Sequence, residues 1–263
     1  MRIGYISSYP PIECGIAAYS AFLIDALRQK GADVYVVSHL GASGTQVFPA
    51  FNENDLDDKA YQVALRFTPD IVHVQHEFGL YGAHFGINIL PVIVKFRLIG
   101  VPVVTTLHTV YEHPERCHRV IIENILANSD RIIVHQQYQL ETLRRLFPEQ
   151  YIRNVAVIPH GARLVEPVPD AKAKLGLPQD KKIILMIGYF RPSKNFELII
   201  DLLPQILRRY PGALLVLAGK IRNQEYAEYR NQLFEHISRS PAREHIRVIL
   251  GQLNQNTFDT ILS

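Results

Sequence analysis

Short apolar runs, each closing on a Gly, Pro or His, alternate along this chain with longer stretches whose apolar residues recur every three to four positions. That alternation is the strongest constraint on the fold. Strands separated by helices must lie parallel, and the helices must cover the sheet they connect. The first unit sets the pattern. Arg2–Ser7 is predicted as a strand, and Ser8–Gly15 as a loop punctuated by Pro and Gly. From Ile16 a helix carries Tyr19, Leu23, Ala26 and Leu27 on one face and stops at Gly31. A helix that opens after such a loop presents free backbone N–H groups and a partial positive charge. The stretch Cys14-Gly15-Ile16 is therefore a candidate anion site, with phosphate the first candidate.

The remaining chain repeats the theme. Strands are expected at Asp33–Ser38, Ile71–Gln75, Val101–Leu107, Arg131–His135 and Asn154–Ile158. Helices are expected at Ala60–Phe67, Ile87–Leu98, Pro114–Ala127 and Gln137–Phe147, and Leu40–Asp58 reads as an irregular connection. The strands show little polar interruption, which fits burial on both faces. Loops at Ser8–Gly15, His76–Gly86, His108–His113 and His160-Gly161 each follow a strand, so they are predicted to share one rim, where ligands of parallel sheets gather. Leu164–Lys174 holds two prolines and no clear period and reads as a linker. Alternation restarts with strand Lys182–Tyr189, loop Phe190–Asn195, helix Phe196–Arg209, strand Ala213–Ala218, loop Gly219–Asn223, helix Glu225–Ile237 and strand Ile246–Leu250. The expected organisation is a domain at 1–163, a linker at 164–176 and a second, partial domain at 177–263.

Composition narrows the function classes. Of 263 residues, 48% are hydrophobic and 20% charged, as in a globular chain, and the formal net charge of +3 is too small to argue for nucleic acid. The two cysteines, Cys14 and Cys117, give no disulfide framework and suit a reducing, cytoplasmic setting. No signal peptide is visible, and no apolar run reaches the ~20 residues of a membrane helix. A dinucleotide-dependent oxidoreductase is disfavoured because no G-x-G-x-x-G opens a helix after a strand.

Six segments in order carry a family resemblance: YPPIECGIAAY (Tyr9–Tyr19), IVHVQHEFGLYG (Ile71–Gly82), VTTLHT (Val104–Thr109), SDRIIVHQ (Ser129–Gln136), VAVIPHG (Val155–Gly161) and MIGYFRPSKNFELII (Met186–Ile200). Together they resemble the GT-B-fold retaining glycosyltransferases of family 4, once called group 1. The resemblance implies a complete N-terminal Rossmann-like α/β domain on the acceptor side and the first part of a second Rossmann-like domain for the donor. It implies transfer of a sugar from a nucleotide sugar to a glycan or lipid-linked acceptor, with retention of configuration, in the cleft between the domains. It implies no cofactor and no metal for the diphosphate. A lipid-linked acceptor would add peripheral contact at the inner face of the membrane.

By that resemblance His108 corresponds to the strand-end histidine near the transferring sugar, where it can hydrogen-bond a hydroxyl or steady developing charge. Gly15 and Ile16 would let the donor approach the helix start, although Gly15 also fits a plain turn after Pro10-Pro11. His76 and Glu77 are donor or acceptor contacts or a solvated pair, and His160 and Gly161 line the site or form a simple turn; both choices stay open. Lys194 matches the family lysine that holds the diphosphate. Arg191 stands two residues after the family arginine position, which is Tyr189 here, while Asn195 stands at the family glycine. Metal binding is not expected at His73, His76, Glu77 and His84, because Leu80 occupies the second His position of H-E-x-x-H. Nor is it expected at His113, Cys117 and His118, which make no four-ligand set.

The family's paired donor glutamates, with seven residues between them, fall beyond position 263, and Glu225, Glu228 and Glu235 lack that spacing. The chain thus reads as truncated within the donor domain, with little or no turnover by these 263 residues alone. A non-catalytic nucleotide- or sugar-binding module is the competing reading.

Overall fold

The computed structural model describes residues 1–52, 55–220, 227–251 and 254–263. Two compact units are present, Met1–Arg163 and Leu164–Ser263. The first contains β1 (Arg2–Ile6), α1 (Gly15–Gln29), β2 (Asp33–His39), β3 (Val47–Phe51), α2 (Leu56–Leu65), β4 (Ile71–His76) and the short α3 (Ala83–Gly86). It continues through α4 (Ile89–Leu98), β5 (Val103–Leu107), α5 (Arg116–Asn128), β6 (Arg131–Val134), α6 (Gln137–Leu146), α7 (Glu149–Ile152) and β7 (Val155–Val157). Its seven strands lie in the order β3-β2-β1-β4-β5-β6-β7, and every neighbouring pair is parallel. All the segments that follow these strands therefore leave from one edge of the sheet. The strand order reverses between β1 and β4, the kind of switch point where open α/β sheets place ligands.

Strand side chains alternate between the two faces. On one face Ile6, Val37, Val72, Val74, Val103, Leu107, Ile132 and Val134 form the main core with α2, α4 and α5. On the other, Ile3, Tyr5, Val34 and Val36 pack with Ile24 of α1. Because the two clusters take opposite parities, His73, Gln75 and Thr106 fall on the α1 face. The next residues of the same parity beyond β5 and β6 are His108 and His135.

Three differences from the sequence reading have clear causes. Val47–Phe51, expected inside an irregular connection, is the edge strand β3. Pro49 hides it from a propensity reading, yet an edge strand tolerates a residue without an N–H. The expected loop His76–Gly86 contains α3, whose His84 (φ 56°) and Phe85 (φ 61°) are left-handed, between Gly82 (φ 88°) and Gly86 (φ 73°). Residues 164–176, expected as linker, group with the second unit and include one helical turn, α8 (Ala171–Lys174).

The second unit then adds β8 (Lys182–Ile187), α9 (Phe196–Arg209), β9 (Ala213–Gly219), α10 (Ala227–Arg239), β10 (Ile246–Leu250) and α11 (Gln255–Leu262). Its parallel sheet has the order β10-β9-β8. The expected loop at Gly219–Asn223 and the expected helix start at Glu225 lie largely outside the described residues. Among the described residues no helix is long and apolar enough to cross a membrane. All seven residues of the central strand β9 are buried. At its end a Cβ on Gly219 would lie 1.8 Å from the Gly188 carbonyl oxygen, so the two backbones meet at a distance only glycine permits.

Gly219→Ala is expected to destabilise the second unit by about 1–3 kcal/mol or more, because rigid backbone rather than a side chain must yield. Hydrogen exchange should show β8–β10 losing protection while β1–β7 keep theirs. Unchanged protection in β9 would contradict the close approach.

Candidate functional site

At the edge where the parallel strands end, α1 begins at Gly15 with no side chain capping it. A Cβ on Gly15 would meet nothing within 4 Å, and its φ lies outside the left-handed region. No turn geometry demands glycine there, so what its absent side chain leaves is open space over the first turn of α1. Ile16, half-buried, packs against the main core. Cys14 is also half-buried and packs there as a small apolar residue.

His108 follows β5 directly, and its backbone N–H donates to the carbonyl of His76 at 3.1 Å. Its Nε2 lies 2.7 Å from Gln75 Oε1. Gln75 Nε2 in turn lies 3.0 Å from His73 Nε2, which also pairs with Thr106 Oγ1 at 2.9 Å. The relay fixes proton positions. The Gln75 amide N–H₂ donates to His73, so its oxygen faces His108 and requires a proton on His108 Nε2. The lone pair of His108 is left on Nδ1. Gln75 is fully buried, and its carbonyl accepts from Tyr81 Oη at 2.7 Å. Sequence reasoning missed Gln75. Its signal was a polar residue alternating with apolar ones in a central strand, sharing a face with His73.

The neighbouring strand ends contribute two more histidines. His135 follows β6; its Nδ1 donates to the Ile158 carbonyl at 2.9 Å, leaving Nε2 as a buried lone pair with no partner among the described residues. His160 lies just past β7 and is exposed, its ring centroid 4.1 Å from that of His135. Gly161 beside it has open space at its Cβ position. Tyr19, at the start of the second turn of α1, meets His108, His135 and His160 edge-on at 5.1, 5.5 and 4.6 Å. Gln139 of α6 binds these ends together: its Oε1 accepts from the His135 N–H at 2.9 Å, and its Nε2 donates to the His108 carbonyl at 3.2 Å. One nitrogen of each of the three histidines lies within 4.8 Å of the others.

His76 is placed differently from the expectation. It is the last residue of β4 rather than a loop residue, and it has no exposed surface. Among the described residues neither ring nitrogen has a hydrogen-bond partner, and Phe78 meets the ring edge-on at 5.1 Å. A buried polar atom without a partner costs about 1–3 kcal/mol, so neither His76 nor the bare Nε2 of His135 is a neutral feature of the core. Glu77 is half-buried and accepts from Thr109 Oγ1 at 2.5 Å, which ties the segment after β4 to the segment after β5. A second cluster, Glu115, Cys117 and His118, brings three ligand types within 4.8 Å at the start of α5. Among the described residues His73, Glu77, His84 and His113 join no such group.

Burial lowers three of the imidazoles, those of His76, His108 and His160. It pushes His76 down to about 3, well below the ordinary value near 6.5. His108 is also held down to about 3, by burial first and then by His135 and His160. His160 is lowered by the same two causes, burial and His135.

In the second unit, Arg191 precedes a turn of 3₁₀ helix, Pro192–Lys194, and its Nε is a buried donor without a partner among the described residues. Lys194 is exposed at its head, and its stem covers Gly188, whose Cβ position lies 3.4 Å from Lys194 Cε. Asn195 has φ 52°. Asn is among the few residues other than glycine that tolerate this left-handed conformation.

An open parallel α/β sheet with its residues gathered at the strand ends, followed by a second parallel α/β unit, defines a GT-B architecture. The structure overlaps that of Anabaena HepE in complex with UDP and glucose with a TM-score of 0.72 at 15% identity, covering 100% of this chain and 72% of that one. Residues 14–165 match the model for Glycosyltransferase Family 4, and residues 168–262 that for Glycosyl transferases group 1; the chain belongs to this family. It is 24% identical to the alpha-monoglucosyldiacylglycerol synthase of Streptococcus pneumoniae, over 83% of this chain and 56% of that protein. It is 27% identical to a D-inositol 3-phosphate glycosyltransferase of Segniliparus rotundus, over 49% of this chain and 31% of that protein. The matches thus span from about a third to just over half of these curated relatives.

Two outcomes are expected. Below the ordinary histidine value, the unfolded chain takes up protons that folded His76 and His108 refuse. Stability of the first unit is therefore full above about pH 6.5 and is lost as the pH falls toward about 3, with a slope of up to about 1.4 kcal/mol per pH unit for each such group. Urea unfolding at about pH 7 and about pH 5 measures it, and equal stability would refute it. Gln75→Leu should leave His108 Nε2 unpartnered and cost about 1–3 kcal/mol. Nitrogen NMR should show His108 losing its single tautomer; an unchanged spectrum would disprove the relay.

Proposed function

We propose that this protein serves retaining transfer of a hexosyl group from a nucleoside diphosphate sugar to a hydroxyl of a glycan or lipid-linked acceptor. In that reaction the bond from the anomeric carbon to the diphosphate oxygen breaks, and a bond to the acceptor oxygen forms. The acceptor's proton leaves with the nucleoside diphosphate. The observation that carries the reading is the buried relay behind His108. It holds a neutral imidazole with its Nδ1 lone pair free, beside the first turn of α1, ready to accept from a sugar hydroxyl. Gly15 leaves room for the ligand over that turn, Ile16 lies next to it, and Glu77, His160 and Gly161 complete the same strand-end rim.

Residues 1–163 form the acceptor-side domain in this proposal, and 177–263 carry the donor diphosphate. Arg191 offers it a buried N–H with no partner among the described residues, and Lys194 a point charge. Such donors stabilise charge on the departing diphosphate without a metal. The names of the curated relatives favour a lipid or inositol phosphate acceptor, and UDP-glucose is the first donor to test. A lipid acceptor sets the proposed location as cytoplasmic, with peripheral contact at the inner membrane face.

Calorimetry with a panel of nucleotide sugars, followed by transfer assays, tests this. Lys194→Ala should weaken donor binding about tenfold, equivalent to about 1.4 kcal/mol. His108→Ala should reduce transfer by about a hundredfold or more without weakening the nucleoside diphosphate itself. Full transfer by the His108 variant would overturn the site. Donor binding by the parent chain with no transfer to any acceptor would favour the non-catalytic binding module instead.

A further inference from the structure

The three histidines that end β5, β6 and β7 make a constellation that sugar binding alone does not explain. His108, His135 and His160 reach one place from three adjacent parallel strands, with a nitrogen of each within 4.8 Å of the other two. Two of them already have the outer contacts typical of metal-bound imidazoles. His135 spends Nδ1–H on the Ile158 carbonyl and keeps a buried Nε2 with no partner among the described residues, while His108 spends Nε2–H on the Gln75 oxygen and keeps Nδ1 free. His135 is buried, with 6% of the residue exposed, and its Nε2 is closed to bulk water. A plain stack of rings against Tyr19 leaves that lone pair orphaned, whereas a cation would satisfy it.

We propose that His108, His135 and His160 form a binding site for a divalent first-row transition metal, with Zn²⁺ as the first candidate. Three imidazole ligands suit zinc, copper or nickel and not magnesium or calcium, whose ligands are oxygens. Tetrahedral zinc with bonds of about 2.0–2.1 Å holds its nitrogens roughly 3.3 Å apart, so the rings must close by little more than a bond length. His160 is exposed and can supply that movement, whereas His135 and His108 are held by their partners. Three protein ligands leave a fourth position for water or an oxygen of a bound molecule. The site lies wholly within Met1–Arg163 and stands whether or not sugar transfer is the activity. A metal on His108 Nδ1 and a sugar hydroxyl on the same lone pair exclude one another, so occupancy would oppose sugar binding.

Titration of the chain with Zn²⁺ by calorimetry, and with Co²⁺ followed by visible absorption, tests the site. One equivalent should bind with a spectrum of nitrogen ligation. His160→Ala, at an exposed position that folding does not require, should weaken it at least about tenfold, and His135→Asn should do the same. Cys117→Ser should leave it unchanged. Absence of stoichiometric binding would overturn the proposal. So would binding that survives His160→Ala and His135→Asn, or binding that is lost with Cys117→Ser and shows thiolate absorption, which would assign the metal to Glu115, Cys117 and His118.

Discussion

Parallel pairing of β1 with β2 and β4 is the constraint on which the first unit rests. Once that pairing is set, each strand's side chains divide by parity between two buried faces, and every strand ends at the same edge. Polar residues then have little freedom. His73 and Gln75 cannot reach the main core, because Val72 and Val74 already fill it, and they come to lie beneath α1 with Thr106. The chemistry at the edge is an extension of that buried row, one residue beyond the strands.

The row matters because a histidine's usefulness depends on which nitrogen carries the proton. A solvent-exposed His108 would exchange tautomers and titrate near its ordinary value. Here Gln75 assigns the proton to Nε2, and burial together with two neighbouring imidazoles keeps the ring uncharged. Gln139 holds the backbone of His108 and His135 from a third element, α6, so the two strand ends move together or not at all. A rigid arrangement of lone pairs, rather than of charges, is what this edge presents.

The second unit is built on a different constraint, the contact of two backbones at Gly188 and Gly219. With no side chain on Gly188, the stem of Lys194 lies over the end of β8 and its ammonium reaches solvent. Asn195 then takes the left-handed turn that starts α9. Arg191, just before the 3₁₀ turn, keeps a buried Nε with no partner among the described residues.

The sequence by itself determined the α/β class, most helices and strands, the carboxyl-edge position of His108 and His160, and the family, because hydrophobic periodicity and ordered motifs are local signals. It did not show β3, since Pro49 disguises an edge strand, or the left-handed His84 and Phe85, which side-chain periodicity does not encode. It left His76 open between a ligand contact and a solvated pair, and the structure buries it, because one position along a strand turns a side chain to the opposite face. Only the tertiary structure decided that Gln75 sets the His108 tautomer and that His135 and His160 join it. Those residues come from separate strands, and their meeting depends on strand order and register, which no single stretch of sequence contains.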